Sequence, residues 1–297
     1  MPYRGSQLLL LIVCVLASSA ACGSLLPVAP AADAGSIAYV SARSGGMDVL
    51  IAYADGTDSR QIVRNEGWAE SPTWAPDGRR LAFASSSGGT FDIYAVNADG
   101  TNLVRVSAGD ADETNPAWSP DGSRIAFVRS RKEDTDIFVM NRDGSGVQRL
   151  TDHAANDSLP AWSPDGKKIL FTSDRMGHDE IFIMNADGTG LAQLTSSSAP
   201  DFDAAWSPDG KKIAFASKRV GNNQIYVMDA DGSHITRLTV DDANNSAPAW
   251  SPDSRRLAFM SNREGTSKIW LIDADGANLH RLDNGANDQE MPAWSSR

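Results

Sequence analysis

The chain has 297 residues, 41% hydrophobic and 22% charged, with 38 acidic against 27 basic side chains and a formal net charge of −11. That composition suits a soluble folded protein. The sign of the charge argues against nucleic acid as a partner, because phosphate binding needs clustered Lys and Arg. A basic protein surface or a cation fits the sign, and net charge also keeps an exported protein in solution.

The N-terminal segment reads as an address rather than as fold. Residues 1–7 carry one Arg and no acid, residues 8–16 are a continuous apolar run, and residues 17–21 are small. This is the layout of an export signal, and the apolar run is too short to span a bilayer comfortably. Two cysteines are present, Cys14 and Cys22. Loss of residues 1–21 leaves one at most, so stability has to come from packing and not from disulfides. The stretch Ser19-Ala20-Ala21-Cys22 resembles the lipobox of bacterial lipoproteins, with Ser19 where an aliphatic residue is usual. The resemblance implies lipidation at Cys22. Plain cleavage after Ala20 or Ala21, releasing a soluble protein, is the alternative. Residues 22–35, rich in Ala, Pro and Gly, read as a tether.

From residue 36 onward the chain repeats. Trp74, Trp118, Trp162, Trp206, Trp250 and Trp294 lie 44 residues apart, and the first five open W-[SA]-P-D-[GS]. One unit shows the plan. Residues 159–162 form a short strand entering the turn Ser163-Pro164-Asp165-Gly166, where Pro presets φ and Gly closes the turn. Residues 169–172 form a second strand and 173–179 a loop. Residues 181–184 form a third strand, followed by the hairpin signal Asp187-Gly188, and 191–195 form a fourth. Four antiparallel strands at a period in the forties predict a propeller blade. The first second-strand segment, beginning at Ile37, has no tryptophan strand before it. The last tryptophan strand, residues 291–295, has no blade after it. Pairing the two completes a sixth blade and hides two sheet edges. The expected fold is all-β, a six-bladed propeller over residues 36–297, forming a monomeric ring.

These motifs resemble the TolB-like propeller family, which also includes the propellers of prolyl-oligopeptidase-type peptidases. The carrying pattern is W-S-P-D-G, I-A-F, a third strand ending M-D-A-D-G, and L-T, as in residues 206–239. The resemblance covers residues 36–297 and implies docking of partner proteins around the channel mouth. TolB itself carries an N-terminal α/β domain, and here only a short tether is expected in its place.

Most recurrent residues have structural uses. The tryptophans recur once per blade and bury about 150–250 Å² each, roughly 4–6 kcal/mol at about 25 cal/mol per Å². This makes them packing between blades rather than a binding platform. Arg43, Arg131, Arg175, Arg219 and Arg263 follow the second strand, in a Ser-x-Arg pattern at all but Arg131, with Ser87 in one copy. They could grip an anion, or pair with the acids opening the third strand (Asp48, Asp136, Glu180) or with turn aspartates. The pairs Asp231-Gly232 and Asp275-Gly276 lack the flanking acids of a calcium loop. The histidines (His153, His178, His234, His280) fall at unrelated points of the repeat, with no zinc spacing, and no G-x-S-x-G elbow occurs. No cofactor, no metal site and no catalytic residue is expected.

The two faces of the ring should differ. Both tight turns fall on one face. The Ser-x-Arg loops and the longer loops approaching each tryptophan strand fall on the other, and acids dominate those approach loops: Glu66, Glu70, Asp112, Glu113, Asp157, Asp201, Asp203, Asp242, Asp288 and Glu290. Trp68 and Phe202 are the aromatics among them. Binding groups concentrate on loops over a rigid scaffold, so the expected partner contacts are Trp68, Glu70, Asp112, Glu113, Asp157, Phe202, Asp203 and Glu290. The approach loops keep one length, so no insertion builds a dedicated pocket. The expected protein is non-catalytic, exported to the periplasm or cell envelope, and binds another protein. The rival is a carbohydrate- or peptide-processing or -binding propeller using channel acids with a cation. Asp and Asn also favour turns and solvent without any ligand.

Overall fold

A computed structural model describes residues 35–43, 46–64, 67–107, 109–131, 134–283, 285 and 287–296. Cys22, the export signal and the tether lie outside the described residues, as does Glu66. Among the described residues, six four-stranded antiparallel sheets make six blades and no helix occurs. The innermost strands are Gln289–Trp294, Ala69–Trp74, Glu113–Trp118, Asp157–Trp162, Asp201–Trp206 and Asn245–Trp250. The first blade is closed as expected: Gln289–Trp294 pairs antiparallel with Ser36–Arg43, matching Ile37 with Trp294 and Ala38 with Ala293. Ser295 N–H donates to the Ser36 carbonyl at 2.7 Å at the end of this seam.

The middle strands explain why the repeat needs its apolar runs. Both faces of a blade are covered by neighbouring blades, so second and third strands are buried along most of their length, as in Leu81, Ala82, Phe83 and Ala84. Aromatic pairs cross the sheet, with Phe171 and Phe182 stacked at 5.8 Å and Phe215 and Tyr226 at 5.7 Å. Each tryptophan wedges against the preceding blade. Trp74 Nε1 donates to the Ala293 carbonyl at 3.1 Å, and Trp250 Nε1 to the Ala205 carbonyl at 3.2 Å. The outermost strands are very short, such as Val104–Arg105 and Gln148–Arg149, which leaves little open edge for another chain to extend.

The two turn types share one face. Asp121 shows the chemistry of the first: its Oδ1 accepts from Ser119 Oγ at 2.6 Å and from Ser123 N at 3.0 Å, which pins the turn. In the second turn, Gly144 has φ 85°, and a Cβ there would lie 2.1 Å from the Val106 carbonyl oxygen of the previous blade. Glycine is required for two reasons at once, the left-handed backbone and the close approach. The opposite face carries the Ser-x-Arg and approach loops, which bond to one another, as in Ser130 N to the Asp112 carbonyl at 2.9 Å.

Candidate functional site: the channel and its loop-face mouth

Each inner strand contains one feature that the alternation of strand residues conceals. Three residues before every tryptophan the backbone turns left-handed: Ser71, Asn115, Leu159, Asp203, Ala247 and Met291 have φ between 48° and 57°. The pairing register slips at the same point, as between Glu70 and Thr73 or Phe202 and Ala205. This is a β-bulge repeated six times. It accommodates the proline that follows in five blades, because an unpaired position needs no N–H. Left-handed backbone costs a non-glycine residue about 1–2 kcal/mol, and the closed ring holds all six in place. These six residues line a cavity of about 250 Å³ along the axis.

The lining is chemically uneven. Ser71 Oγ accepts from Asn115 Nδ2 at 2.9 Å, while Ser71 N–H points at the Met291 sulfur at 3.2 Å. Leu159, Ala247 and Met291 supply apolar wall. Asp203 is the one ionisable side chain among the lining residues, and its Oδ2 accepts from Ala247 N–H at 2.9 Å. Burial pushes the Asp203 carboxyl up to about 6; the Ala247 hydrogen bond opposes this and the charge of Asp179 adds to it.

Further acids near the inner strands have raised carboxyls. Glu70 is raised above the ordinary carboxylate range by burial and then by the charge of Asp112. Glu290 is raised by burial and then by Asp288. Asp179 is raised by burial and by Asp174, with His178 and Lys218 opposing. Asp112 is exposed and its Oδ1 caps the Phe91 N–H at 2.9 Å. Trp68 is 61% exposed, an indole left in solvent beside this acidic rim. Phe202 is half-buried at the same level of blade five.

Two of the expected partner contacts prove to be internal. Glu113 and Asp157 are fully buried, as is Asp201. Arg129 donates from Nε and Nη2 to Glu113 Oε1, at 2.8 and 2.5 Å. Arg175 Nη2 reaches both oxygens of Asp157, at 2.8 and 3.0 Å. Arg219 pairs with Asp201 at 2.5 Å. Each guanidinium also lies over aromatic rings, Arg175 at 4.8 Å from Phe182 and Arg219 at 5.0 Å from Tyr226. The structural use expected for the Ser-x-Arg arginines is therefore seen at Arg175 and Arg219, but with a different partner. They pair with the acid opening the inner strand, not the third. Asp136, at the third strand, instead takes Arg149 at 2.6 Å, and Glu180 takes His178 at 2.9 Å. In blade three the role falls to Arg129 and not Arg131, whose guanidinium lies 5.6 Å from the Phe138 ring. Asp203 lines the channel cavity, whereas Glu70 and Glu290 are half-buried on the inner strands just before the bulge. Ser71, Asn115, Leu159, Ala247 and Met291 escaped notice, though one signal marked them. The residue three before the tryptophan differs in every repeat, just ahead of a proline kept in five of the six.

Among the described residues, no three His, Cys, Asp or Glu side chains gather as a metal site, and no helix is long and apolar enough to cross a membrane. A closed ring of six four-stranded blades around an asymmetric, carboxylate-bearing channel defines the class: a six-bladed β-propeller. A family model for the TolB beta propeller domain matches residues 22–151, 112–203 and 195–297, so the chain belongs to that family. TolB from Acinetobacter baumannii is similar in structure, with a TM-score of 0.81 and 24% identity over 90% of this chain and 68% of that one. A TolB of Agrobacterium tumefaciens gives 0.70 and 24% over 84% and 88%. An oligogalacturonate lyase in complex with manganese gives 0.61 and 14% over 84% and 74%, a likeness of fold alone. No curated protein matches the chain by sequence.

Proposed function

We propose that the protein is a non-catalytic, exported propeller, anchored by a lipid on Cys22, that docks a partner protein over its loop face. The observation carrying this reading is Trp68. A solvent-exposed indole stands beside Glu70, whose carboxylate is already partly desolvated. Aromatic anchors flanked by complementary charge are the side chains that dominate protein interfaces. A partner with a basic surface and an apolar slot for the indole fits this rim. The propellers of TolB proteins support the reading by shared family, and the N-terminal layout supports export and anchoring.

The test is affinity capture from envelope extracts with Trp68→Ala and with Glu70→Gln/Glu290→Gln. Both variants should lose capture at least tenfold while melting within about 0.5 kcal/mol of the parent, as surface changes do. Capture that survives both changes removes the loop face from consideration. Cys22→Ser should release the protein from membranes into the soluble fraction. The lyase-like neighbour makes depolymerisation of acidic oligosaccharides with added manganese the fitting counter-assay, and turnover there would replace the docking reading.

A further inference from the structure

Blade five departs from the repeat at three successive positions of its inner strand. Where the other blades place Glu, Thr or Ser, then an uncharged residue, then Pro, this blade has Phe202, Asp203 and Ala204. The departure puts a single carboxylate into the channel at the one level where all six blades converge. Ser71, Asn115, Leu159, Ala247 and Met291 hold the same left-handed backbone in the other blades, so the conformation does not demand an aspartate. Its Oδ2 is taken by the Ala247 N–H. Leu159, Ala247 and Met291 form the apolar part of the wall, and Asn115 and Ser71 the polar part. No arginine or lysine lines the cavity, so the charge has no fixed partner in the channel itself.

We propose that the channel is a receptor for one primary alkylammonium group. Asp203 takes the charge and the Leu159, Ala247 and Met291 side chains take the methylenes. The cavity of about 250 Å³ is large enough for a four-carbon ammonium chain with water to spare. A compact ammonium suits a monodentate carboxylate whose other oxygen is occupied, whereas a guanidinium prefers both oxygens free for a bidentate contact. The ammonium has two sources in a docked partner, a lysine side chain or a free amino terminus. The site deepens the docking reading, and rests on it only for where the ammonium comes from. Binding should be lost on acidification, because Asp203 is neutral below about pH 6. Asp179, itself offset by His178 and Lys218, is the charge that acts on it. The remaining residues of the inner-strand ring bring no charge to it.

The probes are n-butylammonium, Nα-acetyl-lysine amide and a Gly-Ala-Ala amide peptide, titrated into the full-length protein while the Ala247 backbone amide is followed by NMR. The expected result is a saturable shift of Ala247 at pH 7.5 that weakens at least tenfold by pH 5. It should be absent with tetramethylammonium and in Asp203→Asn. Binding of the lysine amide assigns the source to a side chain, and binding of the peptide assigns it to a terminus. A shift equal in Asp203→Asn and parent, or unchanged between pH 7.5 and 5, overturns the proposal, and so does no shift with any of the three. The pH series on the unmodified protein does not depend on the variant folding. Loss of butylammonium binding in Asp203→Asn with capture intact would uphold the channel site and separate it from the rim. Loss of capture in Trp68→Ala with ammonium binding intact would do the same in reverse.

Discussion

Replacing Arg175 with Met should destabilise the ring without touching its binding face. The Arg175 side chain is 11% exposed and that of Asp157 fully buried. Its Nη2 holds both carboxylate oxygens, its Nε donates to Ser173 Oγ at 2.8 Å, and its plane covers Phe171 and Phe182. Methionine keeps the contact with the rings but leaves a buried carboxylate with no counter-charge. Breaking such a pair from one side costs about 3–5 kcal/mol. At roughly 2–4 °C per kcal/mol for a protein of this size, the melting temperature should fall by roughly 6–20 °C. Circular dichroism melts and urea titrations of Arg175→Met, Asp157→Asn and the double variant close the cycle. The double variant should lose at least about 1–2 kcal/mol less than the two singles combined, because residues in one network couple by that order. A loss under about 1 kcal/mol in the single variant, or additivity in the cycle, would refute the assignment of Asp157 to the framework. Partner capture measured well below the melting temperature should be unaltered.

Three further outcomes follow from the same geometry. Asp203 has a folded-state pKa above its unfolded value, so the native state binds more protons between about pH 4 and 6, and stability falls as pH rises through that window. Asp203→Asn should remove this slope and raise stability at pH 7.5, as read by melts from pH 4 to 8; a slope kept in the variant would contradict the assignment to Asp203. Gly144→Ala should cost more than about 1 kcal/mol, because its φ is 85° and the added carbon would meet the Val106 oxygen, and a neutral melt would mean the inter-blade approach is looser than described. Deleting residues 291–297 removes most of the inner strand Gln289–Trp294 of the first blade, and should leave a chain that melts early and is cut by protease within Ser36–Arg43. A truncated monomer as resistant as the parent would rule out ring closure through this strand.

The period of 44 residues and its turn chemistry made the blade count, the strand order and the closing strand legible before any coordinates. Trp74 through Trp294, the Pro-Asp-Gly turns and the Asp-Gly hairpins all recur, and recurrence is what a sequence displays best. The site was less legible, for a specific reason. Read as approach-loop acids, Glu113 and Asp157 share one exposed role with Glu70 and Glu290, yet they open strands one position earlier, and a shift of one residue reverses the face. The bulge after that position then turns Asp203 and its five counterparts toward the axis. Nothing in local composition marks a left-handed Leu159 or Met291; the prolines after them are the trace of the bulge, and in blade five even that trace is missing at Ala204. The arginine partners were equally hidden, because two acids per blade lie at plausible separations in sequence and only the fold chooses between them.

The six bulges separate what the ring needs from what the channel presents. Each demands a particular backbone shape but accepts serine, asparagine, leucine, aspartate, alanine or methionine as the side chain. Mutation can therefore rewrite the inner surface one position at a time while the architecture stays indifferent. In a scaffold assembled from near-identical copies, this is the place where individuality is cheapest to acquire, and six codons are enough to give relatives of one shape different tastes.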